Sequence, residues 1–134
     1  MLLKPLFDIK ETYNLIERYP IEIRKHAERV AKYVEIYGGT CKYVALLHDI
    51  IEDTETTLDE IPEDMRNDVD ILTRKENETY FDYIHRIIDS GSRIAMIVKL
   101  ADIYDHLEQV ETLKPSLKKR YEKTKRILEK GLDI

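Results

Sequence analysis

Apolar residues recur at three- and four-residue spacing along nearly the whole chain, and nowhere do they alternate with polar ones for long enough to make a strand. That pattern commits the chain to helices. Residues 8–18 carry Ile9, Tyr13 and Ile16 on one stripe, and 21–37 carry Ile23, Ala27, Val30, Val34 and Tyr37 before Gly38 and Gly39 end the run. Residues 40–51 are apolar on almost every side, as a central, buried helix would be. Thr57 and Glu60 have capping-box spacing at a short turn. Pro62 then fits a first helical position ahead of Met65, Val69 and Leu72. Asn77 or Thr79 caps a segment bearing Tyr80, Tyr83, Ile84 and Ile87, which ends near Gly91. Ser92 caps the next, which runs through Ile94, Ile97, Val98 and Ala101 to about Val110. The last helix starts at Pro115 and ends at Gly131. The expected fold is an all-α, single-domain bundle of six to eight helices over residues 1–134.

The bulk numbers agree with a globular chain that has a proper core. It has 134 residues, 43% hydrophobic and 37% charged. No apolar run reaches the roughly 20 residues that span a bilayer, and the opening MLLKPLFDIK has Lys, Pro and Asp too early for a secretory segment. The single cysteine, Cys41, excludes an internal disulfide and suggests a reducing compartment, with the cytoplasm as the default. A net charge of -5 argues against nucleic acid as a partner and for local positive charge wherever an anion binds.

One stretch breaks the apolar logic. Ala45 to Thr54 reads ALLHDIIEDT and sets a histidine and three carboxylates inside the central run. Buried without partners, such groups cost several kcal/mol each, so they need partners or an ion. On a continuous helix, Asp49, Glu52 and Asp53 would share one face, with His48 one turn from Glu52. Matching groups stand elsewhere. His26 lies beside the apolar stripe of its helix, and Asp102 follows the apolar run Val98 to Ala101. His26, His48, Asp49 and Asp102 make a set of two imidazoles and two carboxylates that suits manganese, iron or zinc and leaves coordination positions open.

This order of residues resembles the H…HD…D signature of the HD-domain metal-dependent phosphohydrolases. LLHDIIEDT is similar to the LLHDxxEDT stretch of the (p)ppGpp hydrolase branch, found in Rel/Spo-type enzymes and their small stand-alone relatives. VKLAD, residues 98–102, resembles that branch's xKLAD helix, and LTRKENETYFDYI resembles its small stand-alone members. The similarity covers most of residues 21–106. It implies one divalent ion held by His26, His48, Asp49 and Asp102, commonly Mn2+, with Fe2+, Zn2+, Co2+ or Ni2+ as alternatives. It implies that Glu52 and Asp53 orient or activate the water that attacks phosphorus. The implied substrate is a small nucleotide, with the 3′-pyrophosphate of (p)ppGpp as the bond cleaved.

The chain also departs from that branch. A basic, Pro-Tyr-containing stretch usually precedes the first histidine, where this chain has Glu17 to Lys25, and an Asn usually stands four residues past the KLAD aspartate, where it has His106. A general nucleotidase or nucleotide pyrophosphohydrolase, and a non-catalytic nucleotide-sensing module, are the alternatives. Lys99, Arg74, Lys75 and His106 are the candidate substrate contacts: the first three are cations suited to phosphate, Lys99 stands one helical turn before Asp102, and His106 offers a third imidazole near the ligand. Tyr80 and Tyr83 fit core packing, His85 the surface and Cys41 a small core position. Beyond the metal-site core at about 21–110, the helix at about 115–130 is basic, with Lys118, Lys119, Arg120, Lys123, Lys125 and Arg126 among its cations. Its expected role is a solvated face whose stripe of Leu117, Tyr121 and Leu128 docks on the bundle. No membrane or nucleic-acid partner is expected, and a homo-oligomer stays open.

Overall fold

In the computed structural model, residues 3–109 and 111–134 are described, with side chains from residue 8 onward except Val110. All regular structure among them is helical: α1 (Leu3–Ile16), α2 (Ile21–Tyr33), α3 (Cys41–Leu47), α4 (Ile50–Asp53), α5 (Glu63–Leu72), α6 (Tyr80–Asp89), α7 (Arg93–Glu108) and α8 (Pro115–Leu132), with 3-10 turns at Glu35–Tyr37 and Leu58–Glu60. The all-α bundle expected from the periodicity is the observed fold. None of these helices is long and apolar enough to cross a membrane.

α3 sits in the middle, against α1, α2, α5 and α7. Its Val44, Ala45, Leu46 and Leu47 are all buried, as is Ile50 at the start of α4. α7 is the second axial element and packs on α2, α3, α5, α6 and α8. Its faces are buried nearly all round, and so Lys99, Asp102 and Asp105 are enclosed together with Val98 and Ile103. Charged groups survive there only in each other's company. α8 closes the bundle over α6 and α7 through Leu128 and Leu132, with the Arg120 and Lys123 cations lying over the Tyr80 and Phe81 rings.

Local chemistry sets most boundaries. Thr79 Oγ1 accepts from the Asp82 N–H and Ser92 Oγ from the Ala95 N–H, so each caps its helix. Thr57 and Glu60 form the capping box around the second 3-10 turn. Other boundaries shift. Residues 21–37 are not one helix, because α2 stops at Tyr33 and a separate turn carries Glu35 to Tyr37. Pro62 precedes the first residue of α5 instead of occupying it, and α1 begins at Leu3, ahead of the expected start. Val110, the expected end of α7, lies outside the described residues, and helix is present to Glu108. Gly131 does not end α8. A side chain there would meet Ile88 at 3.3 Å, so its absence lets α8 continue over α6 to bury Leu132, and Asp133 makes the left-handed turn instead.

The largest difference falls at the motif. Residues 40–51 are not a continuous helix: the ladder breaks at His48 and Asp49, between α3 and α4. The His48 N–H reaches back only three residues, to the Ala45 carbonyl at 3.4 Å, and the His48 ring Nδ1 donates to the same oxygen at 2.6 Å. Asp49 then takes φ -105° and ψ 3°, a sparsely populated conformation that recurs at active sites.

Candidate metal centre

α2, the α3–α4 joint and α7 bring four side chains to one point. One ligand atom from each of His26, His48, Asp49 and Asp102 lies within 4.8 Å of all the others. Asp102 is the hub. Its Oδ1 lies 2.6 Å from His26 Nε2 and 3.3 Å from His48 Nε2, and His48 Nε2 is 3.1 Å from Asp49 Oδ2. Asp102 Oδ2 accepts from the Lys99 ammonium at 2.8 Å.

The far sides of both imidazoles are held. His26 Nδ1 donates to Asp105 Oδ2 at 2.6 Å, and His48 Nδ1 donates to the Ala45 carbonyl. Both Nε2 atoms therefore face the common point, which is how outer partners orient metal-ligating histidines. Asp105 is fixed in turn by Arg29, through Nε at 2.8 Å and one Nη at 3.0 Å. Tyr19 is buried below, its hydroxyl donating to the Leu46 carbonyl at 2.8 Å. His106 joins the cluster with Nε2 3.3 Å from Asp102 Oδ1, its ring stacked on Tyr121 at 4.9 Å and packed on His26 at 4.7 Å.

Burial works to lower the His26 pKa, but the hydrogen bond and charge of Asp102 overcome it and raise it. Burial opposes His48 likewise, and Asp49 and Asp102 carry its pKa well above the usual value. Burial works to raise Asp102, yet Lys99 and the surrounding imidazoles hold it well below the carboxylate range, and His48 lowers Asp49 in the same way. Each ring has an acceptor oxygen at both of its nitrogens, the arrangement of an imidazolium, and two such cations offset the charges of Asp49 and Asp102. A divalent ion replacing those two protons leaves the total charge unchanged, so the donor set fits such an ion in charge as well as in ligand type.

The same shifts fix a pH window for the metal-free protein. The raised histidines stabilise the fold below their ordinary pKa of 6.5 and stop doing so as pH climbs through their raised values. The lowered carboxylates stabilise it above their ordinary 3.8 and stop doing so as pH falls through their lowered values. Metal-free protein is expected to melt at progressively lower temperature as pH rises above the ordinary histidine value of 6.5, and added Mn2+ is expected to restore the melting point at the alkaline end. Calorimetric scans with and without the ion check both halves.

The remaining candidate residues are spread around this point. Glu52 and Asp53 are on α4, both exposed, and Glu52 Oε1 accepts from the Arg74 N–H at 2.7 Å. Partial burial raises the pKa of each carboxyl, with the Asp49 charge adding to it. Lys99 is buried against Asp102 and the Tyr83 ring. The Arg74 guanidinium donates to the Glu78 carbonyl, and the Lys75 ammonium is taken up by Asp70 on α5. Tyr83 is buried, its hydroxyl on the Leu72 carbonyl, while Tyr80 is half-buried. His85 is exposed and Cys41 buried. Asp105 and Arg29 were not picked out from the sequence, although each stands three residues past a candidate ligand on the same helix. No protein-family model matches the chain, and no curated protein matches it.

Proposed function

We propose that this chain is a divalent-metal-dependent phosphohydrolase of the HD type acting on a nucleotide, with removal of the 3′-pyrophosphate of (p)ppGpp as its reaction. The observation that carries the reading is the convergence of His26, His48, Asp49 and Asp102 from three separate parts of the chain, with Glu52 and Asp53 presented from the adjoining turn. When bound, a divalent ion lowers the pKa of coordinated water and withdraws charge from a phosphoryl oxygen. The protein's own groups do the rest. Water attacks phosphorus, the bond from phosphorus to the ribose 3′ oxygen breaks, the 3′ oxygen leaves as a hydroxyl with the proton that the attacking water gave up to the carboxylate, and pyrophosphate is released. The Asp53 backbone N–H is bonded to the Asp49 carbonyl, while its carboxylate has no hydrogen-bond partner among the described residues and takes the water's proton. Glu52, steadied by the Arg74 N–H, orients that water. A raised carboxyl pKa suits a proton acceptor. Lys99 holds Asp102 ionised and in place. The activity fits a reducing cytoplasm, where the lone buried Cys41 stays a thiol.

A second reading, a general nucleotidase or nucleotide pyrophosphohydrolase, is favoured by His106. It occupies the position of the alarmone branch's Asn and is built into the imidazole cluster. One assay separates the two. Purified protein with Mn2+ is given ppGpp and a panel of ordinary nucleotides, beside Asp49→Ala. Release of pyrophosphate from ppGpp alone, absent in the variant, is the expected result. Mutant-sensitive phosphate release from another nucleotide would keep the centre and discard the alarmone substrate. Turnover unaffected by chelation would discard the mechanism.

A further inference from the structure

Arg29 belongs to two places at once. Its Nε and one Nη clamp Asp105, yet its side chain is 46% exposed, and it lines a cavity of about 450 Å3 between α1, α2 and α3. That volume lies in the range of small-molecule sites, roughly 300–1,000 Å3. Lys25 and Lys32 from α2 and Lys42 from α3 line the same cavity, with Glu28 and Glu35 as the acidic members. The acids do not cancel the cations. Glu28 is drawn to Arg24, outside the lining, and meets it only at 4.0 Å. Glu35 reaches Lys42 at the same 4.0 Å, and Lys25 meets Glu22, outside the lining, at 3.7 Å. All three are loose pairs open to solvent and hold little. Lys32 has no carboxylate partner among the described residues. In a chain with 27 acidic and 22 basic residues, a lining of four cations against two acids reverses the overall sign of charge.

The guanidinium geometry adds a direction. Arg29 spends Nε and one Nη on Asp105, and the edge carrying the other Nη makes no hydrogen bond among the described residues. A planar guanidinium can hold a carboxylate along one edge and a phosphate oxygen along another. Behind Arg29, Asp105 holds His26 Nδ1. We propose that this cavity binds a small phosphorylated metabolite through Lys25, Lys32, Lys42 and the open edge of Arg29, and that Arg29–Asp105–His26 links it to the metal centre. The binding site stands by itself, whereas its link to a metal rests on the function proposed above.

Tripolyphosphate is the probe, titrated calorimetrically into metal-free protein. Wild type is expected to bind one equivalent. Lys32→Ala/Lys42→Ala is expected to bind at least tenfold more weakly while keeping its fold, since both side chains are on the surface. Asp49→Asn is expected to bind like wild type. No binding by wild type, no weakening in the lysine pair, or an equal weakening in Asp49→Asn, which would put the anion in the histidine cluster, each overturns the site. The link is read from the 15N resonances of His26. They are expected to move with tripolyphosphate in wild type and to stay still in Arg29→Gln and in the lysine pair, and any other pattern overturns the link. A manganese titration keeps the two proposals apart. Protein that binds tripolyphosphate here but takes up no manganese keeps this site and loses the proposed function, and the converse result does the opposite.

Discussion

Asp102→Ala is expected to abolish divalent-ion binding and to cost about 3–5 kcal/mol of stability, the range for removing one partner of a buried charge pair. The size follows from what the carboxylate holds. One oxygen faces the Nε2 atoms of His26, His48 and His106, and the other carries the Lys99 ammonium. Burial alone would lower the Lys99 pKa, and the Asp102 charge is the main reason that it stands well above its usual value. Without Asp102 an ammonium is left in a closed interior with the Tyr83 ring beside it and only the charges of Asp49 and Glu52, neither of which hydrogen-bonds it among the described residues, to offset it. Urea denaturation gives the stability and a manganese titration the affinity. Adding Lys99→Met should recover a large part of the stability and none of the metal binding, because it removes the stranded charge but not the missing ligand. A loss below about 1 kcal/mol for Asp102→Ala would mean that the buried network carries little of the fold's stability.

Glu52→Gln and Asp53→Asn should behave in the opposite way. Each is expected to lower kcat by about two to four orders of magnitude, the usual contribution of a positioned acid or base, with no loss of melting temperature. Both carboxyls have raised pKa values, with partial burial as the first cause, so the ionised form is what the fold disfavours. A neutral amide removes that penalty. In the Glu52→Gln variant the remaining side-chain oxygen can still accept from the Arg74 N–H, which keeps the residue 73–79 loop in place. Manganese affinity should be unchanged, since neither group is in the converging set. Lowered melting points in both variants would mark them as structural supports, and full turnover would remove them from the mechanism.

The helices could be read from the chain because burial demands period and caps leave signatures. Thr79, Ser92 and the Thr57–Glu60 box all cap where their residue types suggest. What could not be read was anything decided by side chains meeting across the bundle. Gly131 reads as a stop, and only the nearness of Ile88 shows why α8 passes through it. The four converging residues stood out because His and Asp are costly in an apolar run. Their supports did not stand out. Asp105 and Arg29 look like surface charges, and only the packing of α7 against α2 makes them a pair. Tyr121 looked like part of a docking stripe, and its stacking on His106 depends on where α8 crosses α7.

The joint between α3 and α4 bears on how far a short motif can travel. Neighbouring residues on a regular helix point about 100° apart, too far for their side chains to serve one ion comfortably. Here the ring of His48 captures the Ala45 carbonyl, the ladder slips, and His48 Nε2 comes within 3.1 Å of Asp49 Oδ2. The transplantable unit is therefore not a dipeptide but a dislocation in a helix, together with the carbonyl one turn back that anchors it. Grafting His-Asp onto an ideal bundle would reproduce the letters without the geometry, and a pattern search that ignores the slip will collect many chains that share only the spelling.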